Sequence, residues 1–170
     1  NVHAVQDNYS EAIKLYNQAL TVLKKLGDEI NINITYSNLA SVYVDLEEYS
    51  KALKSLKKSS KIARKNNIYL IEDTCESLGA KYKNKFLGTF GDFGTYSFYY
   101  SHQITSGEGG MIICNDKNNY KIIHSLRSHG WDRGLKNNKH DFNFINSGFN
   151  VRPSEISAAI GYSQFKRFNK

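Results

Sequence analysis

Three side chains in the second half of the sequence have types and positions suited to chemistry. Asp73 follows the apolar run 68–71, Ser97 lies within a second apolar run, and His102 stands five residues after that serine. A carboxylate can balance a positive charge, a hydroxyl can donate a hydrogen bond without adding charge, and an imidazole can exchange a proton near neutral pH. Because ligands of open α/β sheets bind outside the carboxyl ends of the strands, we expect Asp73 to face a binding site.

The elements around these side chains predict an α/β domain. Three short apolar runs predict strands, and the first is typical of a buried parallel strand. These runs span residues 68–71, 96–99 and 111–114. Apolar residues at helical spacing cover 118–128 and 150–168, with Pro153 expected in the first turn of the second helix. In this prediction Asp73 follows the first strand, Ser97 lies within the second strand and His102 follows the second strand.

A glycine-rich segment precedes the third predicted strand. Gly107-Glu108-Gly109-Gly110 lacks the Gly-Lys-Ser/Thr ending of a P-loop, which excludes that phosphate-binding motif. Glycine adopts backbone conformations that other residues avoid. We therefore interpret the segment as a tight turn where the backbone passes close to the site.

The first and second halves of the chain differ in composition. Residues 1–65 contain one glycine, Gly27, and no proline, whereas 66–170 contain the other eleven glycines, the one proline and the one tryptophan. Such a shift is typical of a change from a helical segment to one rich in turns. We predict a domain boundary near Lys65–Asn67.

An internal repeat lies in the first half. Residues 9–14 match residues 49–54 at an offset of 40 positions, and the match resumes at 22–25 against 62–65. This pattern resembles tetratricopeptide (TPR) repeats of the longer type, over about residues 5–65. The resemblance implies stacked helical hairpins that can bind a protein partner. A plain helical hairpin of other origin is the alternative.

Small and aromatic residues would pack these helices. Ala12, Ala40 and Ala52 would let the helices approach closely. Three tyrosines would pack between turns: Tyr9, Tyr43 and Tyr49. Gly27 is expected just past the end of the first helix, and Asp28 can cap the start of the next one.

Four segments of the second half occur in a familiar order. They are Glu72-Asp73, Ser97, residues 102–110 and residues 150–156. Together they resemble the DegT/StrS family of sugar aminotransferases and dehydratases, and residues 70–110 match that family's pattern almost without gaps. The resemblance implies a partial fold-type-I PLP-transferase domain over 66–170. The predicted fold class is therefore α + α/β, with TPR-like helical hairpins in 1–65 followed by that α/β domain.

The same resemblance implies a cofactor, pyridoxal phosphate (PLP) or pyridoxamine phosphate (PMP), and the residues that hold it. Asp73 would lie against the pyridine nitrogen and keep it protonated, so that the ring can withdraw electrons. Glu76 would lie near the phenolic oxygen, where relatives carry Gln, His or Asp. Ser97 would contact the cofactor phosphate, and Asn150 would lie near that phosphate and a dimer interface.

His102 departs from the aminotransferase pattern. In the aminotransferases of this family, a lysine five residues after the matched serine bonds covalently to PLP, and here that position is histidine. No lysine occurs between Lys85 and Lys117, and an imidazole cannot make that bond. The departure resembles the lysine-lacking 3-dehydratase branch, in which a histidine moves a proton beside noncovalently held PMP. It implies that His102 is the catalytic residue of a nucleotide-sugar 3-dehydratase acting in deoxysugar and surface-polysaccharide biosynthesis.

The family resemblance also bears on partners and completeness. It implies a nucleotide-sugar substrate and a homodimer, and Arg127 or Arg133 could meet a diphosphate or a neighbouring subunit. The sequence lacks the family's upstream phosphate-cradling loop and its C-terminal small domain, so we interpret the chain as a fragment. Two alternatives stay open: a TPR interaction module fused to an inactive aminotransferase remnant, and a lysine-type sugar aminotransferase, against which His102 argues.

Composition excludes several other classes. The chain has 170 residues and a net charge of +7, and the basic residues of segment 51–65 fall mainly on the polar side of a helix. No nucleic-acid-binding motif accompanies them, and no apolar run is long enough to span a membrane. The two cysteines, Cys75 and Cys114, form no CxxC motif, which argues against a metal site or an iron–sulfur cluster. We expect a cytoplasmic protein without nucleic-acid, membrane or metal partners.

Overall fold

The computed structural model describes residues 8–135 and 142–168. Residues 1–7, which include the start of the predicted repeat segment, lie outside the described residues. The chain divides into two compact units, Asn1–Tyr69 and Leu70–Lys170. The division into a TPR-like segment 1–65 and a transferase segment 66–170 stays a prediction.

Within the described residues 8–69, the first unit contains three helices: α1 (Tyr9–Leu26), α2 (Glu29–Asp45) and α3 (Tyr49–Lys65). The junction between α1 and α2 follows the predicted local chemistry. Gly27 adopts a left-handed conformation with φ of 70°, and the next N–H, that of Asp28, donates to the Leu23 carbonyl. The Asp28 carboxylate then accepts from the Asn31 N–H, which caps α2.

The core of this unit lies between the helices and combines large and small side chains. Leu20, Ile32, Tyr36 and Leu39 form its centre. The small residues predicted to allow close approach are all buried: Ala12, Ala40 and Ala52. Tyr43 packs against this core as expected, but Tyr49 is 64% exposed, so its predicted packing role is wrong. The helices are confirmed, and their assignment to TPR repeats stays a prediction.

The part of the second unit that the structure describes, residues 70–135 and 142–168, contains five strands and two helices. The strands are β1 (Ile71–Asp73), β2 (Lys81–Tyr82), β3 (Lys85–Phe86), β4 (Phe93–Ser97) and β5 (Gly110–Cys114). The helices are α4 (Lys117–Leu126) and α5 (Glu155–Phe165). A three-stranded sheet has the order β1-β4-β5, with β1 parallel and β5 antiparallel to β4, and β2 and β3 form a separate antiparallel pair.

Two predicted strands are displaced along the sequence. The run 68–71 does not form a strand from its start, because the Ile68 N–H donates to the Ala63 carbonyl and completes the end of α3. β1 therefore begins at Ile71, which is 62% exposed rather than buried. The strand predicted at 96–99 is β4, three residues earlier at its start.

Glu72 organises the loop between β3 and β4. Its carboxylate accepts backbone N–H groups of Gly88, Phe90 and Gly91, at 2.8, 2.5 and 2.5 Å. The loop must pack closely on β4, since a Cβ added to Gly94 would lie 2.1 Å from the Gly88 carbonyl oxygen. The Glu72 carboxylate thus supplies hydrogen-bond acceptors for three backbone N–H groups of this loop.

The two helices of the second unit begin with side-chain caps. Asp116 caps α4 through the N–H groups of Asn118 and Asn119. Ser154 caps α5 through the Ser157 N–H, so Pro153 precedes that helix and does not lie in its first turn as predicted. Among the described residues, no helix is both long and apolar enough to cross a bilayer.

Candidate functional site

Asp73 ends β1, and Thr95 of β4 lies directly beside it. The two residues are partners in the parallel register, and the Thr95 hydroxyl lies 3.5 Å from Asp73 Oδ1. Residues two apart on a strand share a face, so Ser97 lies on the same face of β4 as Thr95. Because Ser97 is the last residue of β4, all three side chains lie at the carboxyl ends of two parallel strands.

The carboxyl group of Asp73 is held in its charged form. Hydrogen bonds from Cys75, through its thiol and its backbone N–H, hold the pKa of Asp73 below its ordinary value of 3.8. The backbone N–H lies 3.3 Å from Oδ1. The side-chain hydrogen bond between the Cys75 thiol and Asp73 raises the pKa of that thiol above its ordinary value of 9.0. Asp73 is solvent-exposed, so this edge of the sheet presents a negative charge to a ligand.

His102 lies in a loop whose base is closed by backbone hydrogen bonds. The Phe98 N–H donates to the Gly109 carbonyl, and the Ser106 N–H donates back to the Phe98 carbonyl, at 2.8 and 2.9 Å. Ile104 is buried within the loop. Residues 98–109 therefore form a loop between β4 and β5 whose base is fixed by these hydrogen bonds. The loop starts immediately after Ser97.

A side-chain contact joins the His102 loop to the segment after β1. The Gln103 amide nitrogen donates to the backbone carbonyl of Glu76. His102 itself is half-buried, its N–H donates to the Tyr99 carbonyl at 3.1 Å, and its ring meets the Tyr99 ring edge-on at 6.2 Å. The loop that carries the imidazole is thus tied to the segment that begins with Asp73.

The Ser97 hydroxyl accepts a hydrogen bond from the Tyr99 N–H at 3.2 Å. This bond uses an oxygen lone pair and leaves the hydroxyl proton able to reach an anion. Within the predicted turn 107–110, the chain bends at Gly107 and Glu108, and β5 begins at Gly110. Gly107 has φ of 81°, and its N–H donates to the Thr105 hydroxyl at 2.9 Å.

Asn150 makes its described contacts away from these groups. It forms an isolated bridge with Ser128, and its side-chain oxygen accepts from the Arg152 guanidinium at 3.2 Å. Asp73, Glu76, Ser97 and His102 therefore belong to connected segments, whereas the contacts of Asn150 link it to the chain after α4.

A cavity of about 780 Å³ lies against β5 and α4. Thr95, Gly110 and Arg127 line this cavity, whereas Asp73, Ser97 and His102 do not. Its other walls are largely apolar and include Ile112, Ile123 and Phe149. The cavity is therefore distinct from the sheet edge that carries Asp73 and Ser97.

Sequence reasoning missed the residues that support the site. Thr95 contacts Asp73, and the buried Thr74 donates from its side chain to the Thr95 carbonyl at 2.7 Å. Gln103 was not selected from the sequence, although its side chain joins the His102 loop to Glu76. Thr95 stands two residues before Ser97, which is a signal for a shared strand face, but its pairing with Asp73 depends on the register of two distant segments.

Comparison with known proteins identifies relatives that are much longer than this chain. A sequence model of the DegT/DnrJ/EryC1/StrS aminotransferase family matches residues 28–170, which is most of the chain. The GDP-4-keto-6-deoxy-D-mannose 3-dehydratase of Escherichia coli O55:H7 is 45% identical over 120 residues, covering 64% of this chain and 31% of that protein. The chain thus spans about a third of the length of the curated relatives it matches.

Solved structures agree with the sequence comparison. The E. coli GDP-4-keto-6-deoxy-D-mannose-3-dehydratase with bound hydrated PLP aligns with a TM-score of 0.58 and 43% identity, over 66% of this chain and 32% of that chain. A variant of the dehydratase ColD, in which an adjacent serine and histidine are replaced by asparagine and lysine, aligns with a TM-score of 0.58 and 42% identity, over 66% and 33%. With the family match covering residues 28–170, this chain belongs to the DegT/DnrJ/EryC1/StrS aminotransferase family.

Proposed function

We propose that this chain is a segment of a PLP/PMP-dependent nucleotide-sugar 3-dehydratase that acts in deoxysugar and surface-polysaccharide biosynthesis. The observation that carries the proposal is the histidine at position 102, in an anchored loop that Gln103 ties to the segment after Asp73. The similarity to GDP-4-keto-6-deoxy-D-mannose 3-dehydratases supports the same reaction class.

The residues at the sheet edge fit the cofactor. An exposed carboxylate with a lowered pKa suits a protonated pyridine nitrogen, which is the role we assign to Asp73. We assign Ser97 to the cofactor phosphate, because its hydroxyl proton is available for donation. Glu76 would lie near the phenolic oxygen and Asn150 near the phosphate. When bound, the cofactor supplies an electron sink for reactions at the sugar.

His102 is the residue that we assign to proton transfer. One solved relative carries substitutions at an adjacent serine and histidine, with lysine replacing the histidine. This chain has two Ser-His pairs, Ser101-His102 and Ser128-His129. The second pair follows α4, whereas the first lies in the loop that contacts Glu76. An imidazole at the first pair could take up a proton released beside the bound cofactor and deliver a proton to the departing hydroxyl.

Retention of PMP tests the assignment of Asp73. The full chain is mixed with PMP, passed through a desalting column and examined for the cofactor's absorbance. We expect the wild-type chain to retain PMP and Asp73→Asn to lose it, because an amide cannot balance the charge of the pyridinium. Asp45→Asn, at the end of α2, is the matched control and should behave as wild type. Equal retention by all three proteins would contradict the proposed cofactor site.

Borohydride treatment tests the role of His102. Borohydride fixes PLP covalently where PLP has condensed with a primary amine, which an imidazole does not provide, so position 102 of the wild-type chain should carry no label. His102→Lys should acquire a labelled lysine at position 102, detected by peptide mass spectrometry. A wild-type chain labelled specifically at one lysine would instead support a sugar aminotransferase.

A TPR interaction module is a second candidate function for the first unit. The 40-residue repeat offset supports it, as do two exposed leucines on α3, Leu53 and Leu56. Such helices bind proteins through apolar surfaces. A purified partner whose binding is lost in Leu53→Glu but kept in Phe165→Glu would support this function, and binding that is unaffected by Leu53→Glu would oppose it.

We further propose that the complete protein is a cytoplasmic homodimer that binds a nucleotide sugar. Asn150 is the residue we expect near the second copy. Sedimentation velocity of a protein that contains the whole domain would test the dimer, and a monomer at micromolar concentration would refute it.

A further inference from the structure

The positive charge of the chain is concentrated on one helix, α3. Seven of its 17 residues are lysine or arginine, and none is acidic. The whole chain has 23 basic and 16 acidic residues, so the remainder of the sequence holds 16 basic residues against 16 acidic ones. The net charge of +7 therefore equals the charge of α3 alone.

Four of the seven cations on α3 have no carboxylate partner among the described residues. Lys51 and Lys65 form ion pairs with glutamates, and the Lys58 ammonium lies 5.0 Å from the centroid of the Tyr36 ring. The other four side chains are exposed: Lys54, Lys57, Lys61 and Arg64. Neighbouring cations that lack counter-charges repel one another, so an anionic partner would relieve this repulsion.

Two exposed leucines lie on the same side of α3 as these cations. Leu53 and Leu56 are each 47% exposed. With the four cations they line two adjoining surface hollows of about 380 and 450 Å³, which share Leu53, Lys57 and Lys61. We call these six residues the basic groove: Leu53, Lys54, Leu56, Lys57, Lys61 and Arg64.

The spacing within the basic groove is typical of a contact between helices. Lys54 and Lys61 are seven residues apart, as are Lys57 and Arg64. Seven residues are nearly two helical turns, so each pair forms a row almost parallel to the axis of α3. Leu53 and Leu56 are separated by three positions, as are apolar residues at the seam of two packed helices, where flanking charges meet opposite charges on the partner.

A bilayer surface fits this face less well than a helix does. A helix that lies in a membrane interface buries a continuous apolar face among the acyl chains. The continuous buried face of α3, which includes Ala52 and Ala63, already lies inside the protein, and the two half-exposed leucines are what the groove offers in its place. Hollows between side chains accept the side chains of another helix, because packed helices interdigitate.

We propose that the basic groove binds an acidic amphipathic helix of a partner protein. The apolar side chains of that helix would pack on Leu53 and Leu56, and its carboxylates would face the four cations. This inference rests on the interaction role proposed for the first unit and names the chemistry of the partner. It is independent of the cofactor site, whose expected residues all belong to the second unit.

Fluorescence anisotropy of a labelled peptide tests the inference with the full chain. The probe is a helical peptide of about three heptads, with leucine at the two seam positions and glutamate beside them. The reference peptide carries glutamine in place of each glutamate. We expect saturable binding of the glutamate peptide and weaker binding of the glutamine peptide. This preference should disappear as salt rises from about 0.1 M to about 1 M, because the Debye length falls from about 10 Å to about 3 Å.

Substitutions locate the bound helix. Lys57→Glu should weaken binding of the glutamate peptide roughly 2- to 30-fold, because it removes one exposed ion pair and adds a repulsion of similar size. Lys57→Arg keeps the charge and should bind like wild type. Lys121→Glu makes the same change at an exposed lysine of α4 and is the matched control. Leu53→Gln should weaken binding roughly 3- to 10-fold, which is the effect of burying the exposed half of a leucine.

Three results would overturn the inference. The first is equal binding of the two peptides, and the second is equal weakening by Lys57→Glu and Lys121→Glu. The third is the absence of peptide binding in a chain that uses Lys57 for another contact. Binding to vesicles of phosphatidylglycerol and phosphatidylcholine would then identify a lipid surface, and self-association in sedimentation velocity would identify a second copy.

Two further results separate this inference from the functions proposed above. A partner whose binding needs Leu53 but ignores salt and Lys57→Glu would refute the acidic chemistry alone and would leave the interaction module standing. Tight binding of the glutamate peptide by a chain that does not retain PMP would support the basic groove and refute only the cofactor site.

Discussion

Removal of the Glu72 carboxylate should destabilise the second unit more than removal of any exposed carboxylate. Glu72 Oε2 accepts from the buried Gly88 N–H, and Oε1 accepts from the N–H groups of Phe90 and Gly91. Phe90 is exposed and Gly91 half-buried, so water can replace the carboxylate more easily there than at Gly88.

The magnitude follows from these three bonds. In Glu72→Ala, a buried N–H without a partner at Gly88 costs about 1–3 kcal/mol, and each of the two more accessible bonds contributes about 0.5–1.5 kcal/mol. We therefore expect a loss of about 4 kcal/mol, the sum of the central values of these ranges. Glu72→Gln should lose about 2 kcal/mol. Its one amide oxygen can still accept from the N–H groups of Phe90 and Gly91, but its NH2 group would face the Gly88 N–H, and two donors cannot form a hydrogen bond.

Urea unfolding monitored by Trp131 emission measures this loss. Trp131 lies in the same unit as Glu72, so unfolding of the first unit does not enter the signal. With a urea dependence of about 2 kcal/mol per M, the midpoint of Glu72→Ala should fall by about 2 M. Glu108→Ala removes one exposed carboxylate from the same unit and is the matched control. Equal midpoints for Glu72→Ala and Glu108→Ala would refute the reasoning.

Three further predictions follow from the site and its supports. In a Cys114→Ser background, Asp73→Asn should speed alkylation of Cys75 at mildly alkaline pH, since the Asp73 contact raises the pKa of that thiol; an unchanged rate would contradict the contact. The pKa of Asp73 in the folded chain is lower than its ordinary value, so the carboxylate keeps its charge until the pH falls through that lowered pKa. PMP retention should therefore not weaken through Asp73 between about pH 8 and pH 5. Gly130→Ala should unfold at lower urea than Gly107→Ala, because both have positive φ but only Gly130 faces a backbone clash; equal midpoints would show that the clash is relieved.

Local chemistry made part of the fold predictable. The junction between α1 and α2 follows from Gly27 and Asp28, because a left-handed glycine and a capping carboxylate act over a few neighbouring residues. β5 was predicted within one residue for a similar reason, since a short apolar run follows a glycine-rich turn. These signals depend on contiguous sequence.

Elements that depend on distant partners were predicted less well. Ile68 has strand-like composition, yet it completes the end of α3, and Asn67 adopts φ of 53° just before it. β1 is set instead by its register with β4, more than twenty positions away. The role of Glu72 was missed for the same reason, since its three donors lie in the loop before β4.

The candidate site was predicted from residue identity more than from position. Asp73, Ser97 and His102 were selected because their chemistry matched a family pattern, and the pairing of Asp73 with Thr95 brings Asp73 to the strand that carries Ser97. The contact between Gln103 and Glu76 has no local signal, because neither residue type nor spacing specifies a side chain reaching a backbone carbonyl in another loop.

The same physical reasoning explains why the first unit supports two interpretations. The face of α3 toward its neighbours carries small residues at helical spacing, Ala52, Ser55, Ser59 and Ala63, all buried. Small residues let α2 and α3 approach closely in any antiparallel pair, so this pattern determines the hairpin and not its ancestry. The family match begins at residue 28, the cap of α2, while the 40-residue repeat spans the same helices. Leu53 and Leu56 lie exposed on α3. The element that packs on these two leucines in the complete protein would distinguish a TPR module from a family helix pair, because each architecture places a different neighbour there.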